Sequence, residues 1–276
     1  MSTAPRSSPP DRAPPAGRRP PDSDPVRKHG AWATVVRDGE PDELAVEEPL
    51  EIRTAGNPLV VTMRTPGHDE ELAAGFLYGE GLIDRAPRLG PPADLAVNTI
   101  EVQSPLTGAP RSRPFYASSS CGVCGIGALE DVRASSPVLG EGPRVARSLL
   151  ASLPDRMRQP TFRRTGGLHA AARFDAHGEA QLVREDVGRH NALDKVIGRA
   201  LLDGELPLAD AILCLSGRLS FELVQKTVRA GATILVAVGA PSSLAVELAR
   251  DRGLTLAGFA RRGQVNVYSA PERVLD

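Results

Sequence analysis

Residues 211–238 read AILCLSGRLSFELVQKTVRAGATILVAV and decide the fold class. Residues 211–215 and 233–238 form two short apolar runs, and between them lies an amphipathic segment that Ser220 is expected to cap. A strand that is apolar at successive positions is buried on both faces, which is typical of a parallel sheet covered by helices. This stretch therefore predicts an α/β fold with a mostly parallel sheet covered on both faces.

The same alternation of strands and helices extends over the second half of the chain. Further helices are predicted from about Arg189 and after Ser242, the latter ending at Gly253. A turn at residues 175–178 is expected to join two strands into a hairpin. The predicted strands of this half cover residues 170–174, 180–184, 211–215, 233–238 and 254–259.

The first half predicts a smaller α+β unit. Turns at residues 38–39 and 57–58 separate its first strands, and Asp69 is expected to cap a helix that begins at Glu70. The predicted strands of this half cover residues 32–36, 44–46, 50–53, 59–64 and 99–102.

Proline content sets the predicted start of the folded chain. Residues 1–25 contain eight prolines and, after Met1, no aliphatic residue larger than alanine, so they cannot bury enough apolar surface to offset the entropy of ordering. The predicted organisation is a disordered tail over 1–25, an N-terminal α+β domain over 26–155 that carries a C-x-x-C loop, and an α/β domain over 156–276.

Composition excludes several classes of protein. Of 276 residues, 41% are hydrophobic and 24% charged, as in ordinary globular proteins. The net charge is −1, which argues against nucleic-acid binding driven by bulk charge. No apolar run approaches the roughly 20 residues of a membrane helix, and no secretory signal is recognised. Three cysteines without a signal predict a reduced, cytoplasmic setting.

Cys121 and Cys124 form a C-x-x-C pair within residues 118–127, SSSCGVCGIG. Three interpretations stay open on these residues. Half of a structural zinc site would need a second ligand pair, which the chain lacks, so no metal site is predicted. A thioredoxin-like redox pair would need a βαβ context, which is also missing. The third interpretation is a nucleophilic cysteine that holds a transferable sulfur atom as a persulfide. Cys214, in a predicted strand, is expected to be a buried apolar residue.

His169 follows two glycines and precedes a predicted strand, so it is either a packed turn residue or a site residue. A zinc deaminase would show H-x-E followed downstream by P-C-x-x-C. Here Ala171 takes the place of the glutamate and the C-x-x-C lies upstream. Deamination is therefore not expected.

Two further segments combine cations with the end of a predicted strand. Residues 184–195, REDVGRHNALDK, place Arg189 and His190 at a helix start, where free amides and positive charge suit a phosphate; a capped, solvated helix start is the alternative. Residues 258–264, GFARRGQ, suit a nucleotide or form a simple hairpin with exposed arginines. Loops at 216–218 and 239–243 also follow strands, where α/β sheets bind ligands.

Taken together, these segments resemble the formate dehydrogenase accessory sulfurtransferase family, FdhD. The resemblance covers roughly residues 30–270, and the 184–195 block is its most specific part. The other matching segments are residues 64–67 (RTPG), 71–77 (ELAAGFL), 119–125 (SSCGVCG), 165–169 (TGGLH) and 216–218 (SGR).

This resemblance implies a sulfur carrier. Family members take sulfur from a cysteine desulfurase and deliver it to a molybdenum or tungsten bis-guanine-dinucleotide pterin cofactor before the cofactor enters formate dehydrogenase. The family's persulfide cysteine falls on Cys121, with Cys124 assisting. The residues expected to bind the cofactor, Mo-bis(molybdopterin guanine dinucleotide), are Phe259, Ala260, Arg261, Arg262, Gly263 and Gln264, together with His169, Arg189 and His190.

The resemblance also implies a fold and an assembly. The larger domain is expected to be a three-layer, cytidine-deaminase-like α/β domain joined to the smaller α+β domain. The expected partners are the desulfurase and formate dehydrogenase, and the chain is expected to form a homodimer in the cytoplasm, with no nucleic-acid or membrane partner.

Overall fold

The computed structural model describes residues 26–107 and 136–276. The predicted tail over 1–25 and the C-x-x-C pair, Cys121 and Cys124, lie outside the described residues. The strands are β1 (Arg27–Lys28), β2 (Trp32–Arg37), β3 (Glu40–Ala45), β4 (Glu48–Thr54), β5 (Asn57–Arg64), β6 (Leu89–Gly90), β7 (Thr99–Val102), β8 (Val145–Ala146), β9 (His169–Phe174), β10 (Ala180–Asp186), β11 (Ile212–Leu215), β12 (Ile234–Ala237), β13 (Thr255–Arg261), β14 (Gln264–Ser269) and β15 (Val274–Leu275). The helices are α1 (Asp69–Gly79), α2 (Arg147–Arg156), α3 (Pro160–Thr165), α4 (Arg189–Leu202), α5 (Phe221–Arg229) and α6 (Ser243–Arg252), and a 3₁₀ turn spans Pro271–Arg273.

The larger sheet has six strands in the order β10-β9-β11-β12-β13-β14. Only the β11–β12 and β12–β13 pairs are parallel, whereas β10–β9, β9–β11 and β13–β14 are antiparallel. The prediction of a mostly parallel sheet is therefore wrong. Two of the antiparallel pairs arise because tight hairpins join β9 to β10 and β13 to β14. A hairpin can connect only antiparallel strands.

Helices cover both faces of this sheet, as predicted. On one face, apolar residues of α4, α5 and α6 form a buried cluster with inward-facing residues such as Leu213, Leu235 and Leu256. On the other face, α2 packs through residues such as Leu150 and Leu153 in a second cluster, which includes Cys214. Cys214 is fully buried, and burial raises the pKa of its thiol, so it is the buried apolar residue expected from its strand position.

The smaller unit combines α1 with a four-stranded sheet of order β5-β4-β7-β6. Helix α1 crosses α4 at close range because Gly75 and Gly198 present no side chain to the partner helix. A β-carbon at Gly75 would overlap the backbone of Asp194, and one at Gly198 would overlap the backbone of Glu71. This crossing fixes the smaller unit against the larger sheet.

A separate three-stranded sheet, β1-β2-β3, packs on α3. The guanidinium carbon of Arg164 lies 3.9 Å from the centre of the Trp32 ring, and Arg164 also donates two hydrogen bonds to Glu43. His29 stacks on the same indole, with 4.2 Å between ring centres. These contacts join residues 27–45 to the segment that precedes His169.

Several local predictions differ from the structure at element ends. Asn57 and Pro58 are the first residues of β5, and the turn lies before them at Ala55-Gly56, where both residues have positive φ. Asp69 is the first residue of α1 and not its cap, because its carboxylate accepts two hydrogen bonds from Arg64.

Of the two predicted serine caps, one is confirmed and one is wrong. Ser242 accepts a hydrogen bond from the Ala245 amide and caps α6 as expected. Ser220 precedes α5 but makes no capping hydrogen bond; its hydroxyl lies 3.2 Å from His190 Nε2. Strand β13 continues past residue 259 to Arg261, because a bulge lets it resume pairing with β14.

Helix α2 belongs to the packing of the larger sheet, although it precedes residue 156. It contacts β13 and β14, and β8 just before it pairs with β15 at the end of the chain. Among the helices of the described segments, none combines the length and apolar character that crossing a bilayer requires.

Candidate functional site

The topology brings several loops to one edge of the six-stranded sheet. β11, β12 and β13 run parallel, so their carboxyl ends meet there. β9 runs antiparallel to β11 and begins at this edge, where His169 lies opposite Asp186, the last residue of β10. We call this region the carboxyl edge. It comprises His169 and residues 186–190, 216–218, 239–242 and 259–264.

Glycines allow the loops of the carboxyl edge to touch through their backbones. The Gly239 amide donates to the Gly217 carbonyl at 2.9 Å, and the Phe259 amide donates to the Gly239 carbonyl at 3.2 Å. A β-carbon on Gly239 would lie 2.7 Å from the Gly217 oxygen, and one on Gly258 would lie 3.0 Å from the Gly239 oxygen. Larger residues would push these loops apart.

Ser216 ties the loop after β11 to the start of β9. Its hydroxyl accepts a hydrogen bond from the Ala170 amide at 2.8 Å, and its own amide donates to the Ala170 carbonyl at 2.9 Å. The half-buried His169 directly precedes Ala170, the residue that makes both of these hydrogen bonds. The backbone that carries the imidazole is therefore fixed by two hydrogen bonds.

Positive charge surrounds His169. Burial lowers the pKa of His169 below its ordinary value, and the nearby Arg189 and His190 lower it further. Arg218 acts in the same direction, whereas the Asp186 carboxylate opposes them. Within the described part of the chain, the guanidinium groups of Arg189 and Arg218 make no ion pair, and Arg189 Nε is buried without a hydrogen-bond partner. The site thus offers a neutral imidazole beside cations suited to an anion.

His190 is held by the protein itself. Its Nε2 lies 3.0 Å from a carboxylate oxygen of Glu222 and 3.2 Å from the Ser220 hydroxyl. The imidazole therefore has partners on α5, the helix next to it. Of Arg189 and His190, the two residues predicted to bind an anion at the start of α4, only Arg189 makes no ion pair with another described residue.

A buried polar network supports the turn before α4. Asp186 is fully buried and accepts hydrogen bonds from the amides of Thr65 and Gly188 and from the Asn191 side chain. Lys195 Nζ lies 2.7 Å from the same carboxylate and donates to the Thr65 carbonyl at 2.9 Å. The smaller unit, through Thr65, thereby helps to set the position of Arg189.

Residues 259–264 form the hairpin between β13 and β14. Arg262 and Gly263 both have positive φ, which is the geometry of a tight two-residue turn, and Phe259 has a φ of 56° at a bulge. Ala260 is fully buried, so its methyl group packs in the core and only its backbone can meet a ligand. The exposed residues of the hairpin are Arg261, Arg262, Gly263 and Gln264.

Residues 258–264 thus form the hairpin with exposed arginines that was one of the two predictions, and this hairpin lies on the carboxyl edge; nucleotide binding by these residues stays a prediction. The guanidinium carbon of Arg261 is 5.7 Å from the centre of the Phe259 ring. His169, Arg189, His190 and this hairpin share the edge, whereas Cys121 and Cys124 lie outside the described residues. None of the described His, Cys, Asp and Glu side chains forms a group of three that could hold a metal ion.

Sequence reasoning missed the residues that support the site. Thr65 meets Asp186 across 121 positions and Lys195 across 130, so no local spacing marks them. Glu222 was likewise not identified as the partner of His190. Only the unusual density of charged residues in the 184–195 block hinted at a buried network.

Known proteins similar to this chain carry the name of one family. The model of the FdhD/NarQ family matches residues 45–275. A "Sulfur carrier protein FdhD" from Streptomyces avermitilis is 49% identical over 261 residues, covering 87% of this chain and 93% of the relative. One of the same name from Sulfurisphaera tokodaii is 43% identical over 241 residues, covering 86% and 93%.

A solved structure is also similar, a putative formate dehydrogenase accessory protein from Desulfotalea psychrophila. It superposes with a TM-score of 0.70 and 27% identity, covering 88% of this chain and 98% of that one. The family match spans most of the chain and includes the whole carboxyl edge. The chain therefore belongs to the FdhD/NarQ family.

Proposed function

We propose that this chain is a sulfur carrier that receives sulfur from a cysteine desulfurase as a persulfide on Cys121. It then delivers that sulfur to Mo-bis(molybdopterin guanine dinucleotide), the cofactor of formate dehydrogenase, before the cofactor is inserted. Relatives at up to 49% identity that bear the name sulfur carrier support the first part of this proposal. The C-x-x-C pair of this chain supplies the thiol.

The loading step is a thiolate–persulfide exchange. The Cys121 thiolate attacks the outer sulfur of the donor persulfide, a new sulfur–sulfur bond forms, and the donor cysteine leaves as its thiolate. No electron is gained or lost overall. Cys124 is the second thiol of the pair and assists in this transfer or accepts sulfur from Cys121.

The observation that carries the acceptor half of the proposal is the set of cations on the carboxyl edge. A bis-guanine dinucleotide carries two pyrophosphates, and guanidinium groups match phosphate oxygens with paired hydrogen bonds. Within the described residues, Arg189, Arg218, Arg261 and Arg262 make no ion pair, so each is free to bind phosphate. The residues present therefore fit this substrate.

His169 suits a role in proton transfer at the same edge. Its lowered pKa keeps the imidazole neutral near pH 7, so it can accept a proton when an acidic S–H group approaches. Arg189 and Arg218 would stabilise the resulting anion. This role, like the homodimer and the cytoplasmic setting expected from the family, is part of the proposal.

The maturation of formate dehydrogenase tests the proposal. Cells that lack their own carrier should regain formate dehydrogenase activity with the wild-type chain and not with Cys121→Ala. Cys214→Ala is the matched control, because that thiol is buried in the core and should leave maturation intact at some cost in stability. Full activity with Cys121→Ala would overturn the assignment.

A further inference from the structure

Thr65 links the smaller unit to the turn that leads into Arg189, and it does so with its amide, its hydroxyl and its carbonyl. The amide donates to Asp186 Oδ2 at 3.2 Å. The hydroxyl accepts a hydrogen bond from the Val187 amide at 3.1 Å, and the carbonyl accepts one from Lys195 Nζ at 2.9 Å. Because Thr65 is only 2% exposed, it can influence a ligand on the carboxyl edge through this turn but cannot contact one.

The turn sets the direction in which Arg189 leaves the backbone. Val187 and Gly188 directly precede Arg189, the first residue of α4. The Val187 amide is held by the Thr65 hydroxyl, and the Gly188 amide donates to Asp186 Oδ1 at 2.8 Å. Within the described residues, the buried Nε of Arg189 has no hydrogen-bond partner. An arginine with unused donors needs a fixed backbone if it is to meet an anion in one geometry.

The smaller unit holds Thr65 in a rigid frame. Its neighbour Arg64 is buried and donates two hydrogen bonds to Asp69, at 2.9 and 2.8 Å, which fixes the end of β5 against the start of α1. Arg184 of β10 donates two hydrogen bonds to Glu71 of α1, at 2.6 and 2.8 Å. Both sides of the contact between Thr65 and the turn are therefore anchored by paired hydrogen bonds.

We propose that Thr65 is a positioning residue for anion binding by Arg189, and that the smaller unit is therefore part of the anion site. The inference rests on the proposed function, in which Arg189 binds phosphate, and deepens it by naming the contact that orients this arginine. Without the Thr65 hydroxyl, the Val187 amide loses its acceptor and the turn populates other conformations. Only the fraction of molecules with the native turn would then bind the anion at full strength, and the observed affinity falls by that fraction.

Substitutions at Thr65 separate positioning from support of the fold. Thr65→Val removes the acceptor of the Val187 amide but keeps the β-branched shape and both backbone hydrogen bonds. Thr65→Ser keeps the acceptor and loses one buried methyl group, which costs stability because it leaves a small cavity. If Thr65 only supported the fold, both variants would lower the free energy of unfolding and neither would change the anion affinity of the folded molecules.

Calorimetric titration of the full-length chain with inorganic pyrophosphate tests the inference, at a temperature at which circular dichroism shows every variant to be folded. Arg189→Ala should weaken binding about 10- to 150-fold, the range expected for hydrogen bonds to a charged group. Thr65→Val should weaken it about 2- to 10-fold, the range expected for one neutral hydrogen bond. Thr65→Ala, which also lacks the acceptor, should weaken binding as Thr65→Val does. Thr65→Ser should lower Tm and keep the wild-type affinity.

Thr99→Val is the matched control in the smaller unit. The Thr99 hydroxyl donates to the Val97 carbonyl at 3.2 Å, away from the turn, so its loss should not change the affinity. Wild-type affinity in both Thr65→Val and Thr65→Ala, or an equal loss in Thr65→Ser, would overturn this inference while leaving the proposed function in place. A wild-type chain that binds no pyrophosphate, or an Arg189→Ala variant that binds it as the wild type does, would overturn both this inference and the proposed role of Arg189.

Discussion

Replacing Lys195 with methionine removes the counter-charge of a fully buried carboxylate. Lys195 is 1% exposed and Asp186 is 0% exposed, and 2.7 Å separates the ammonium from the carboxylate oxygen. The variant leaves Asp186 with its amide donors but without a positive partner. Breaking one side of a buried ion pair costs about 3–5 kcal/mol, a large part of the roughly 5–15 kcal/mol that stabilises most proteins.

Denaturant titration measures that cost as a free energy of unfolding, and thermal unfolding measures it as a shift in Tm. For a chain of this size, each kcal/mol lowers Tm by about 2–4 °C, so Lys195→Met should lower it by about 6–20 °C. Adding Asp186→Asn to Lys195→Met should recover part of the loss, because the uncompensated charge disappears. Lys28→Met, which removes a pair with Glu48 at the surface, should cost less than about 1 kcal/mol. If Lys195→Met were as stable as Lys28→Met, the account of the buried network would be refuted.

Two further predictions concern packing and pH. Gly75→Ala or Gly198→Ala should destabilise the chain by at least about 1–3 kcal/mol in denaturant titrations, because the added methyl overlaps the facing helix. Gly140→Ala, whose methyl group meets open space, should leave the stability unchanged. Equal stabilities of the three variants would refute the close crossing of α1 and α4. The pKa of His169 and of His68 is lowered in the fold, so the unfolded chain binds more protons near and below pH 6.5. The stability that the neutral His169 and His68 contribute is complete above that pH and is lost as the pH falls. A His169→Gln variant should therefore lose less free energy of unfolding between pH 7 and 5 than the wild type. Identical dependence of stability on pH in the two proteins would contradict this.

Local sequence patterns predicted many of the elements in both units. The strand over 99–102 in the smaller unit, and the start of α4 at Arg189 and the capping of α6 by Ser242 in the larger one, all match the structure. These features depend on residues within one or two turns of each other, which is the range over which periodicity and capping act.

Strand neighbours and the buried network could not be predicted in the same way. Periodicity identifies β9 and β11 as strands but does not say that they pair antiparallel, and this pairing decides which edge His169 occupies. The contacts of Asp186 with Thr65 depend on how α1 crosses α4. The roles of Cys121, Cys124 and the hairpin arginines stay predictions, because the resemblance to a family suggested them and no contact in the described residues tests them.

Intact mass spectrometry of the chain after incubation with a cysteine desulfurase and cysteine tests the central proposal most directly. We expect the wild type and Cys124→Ala to gain the mass of one sulfur atom, reversed by a reducing thiol, and Cys121→Ala to gain none. A protein that only binds the cofactor, using its cysteines as a redox pair, would gain no sulfur in any form. Absence of the added sulfur from the wild type, or its presence on Cys121→Ala, would contradict the proposed role of Cys121.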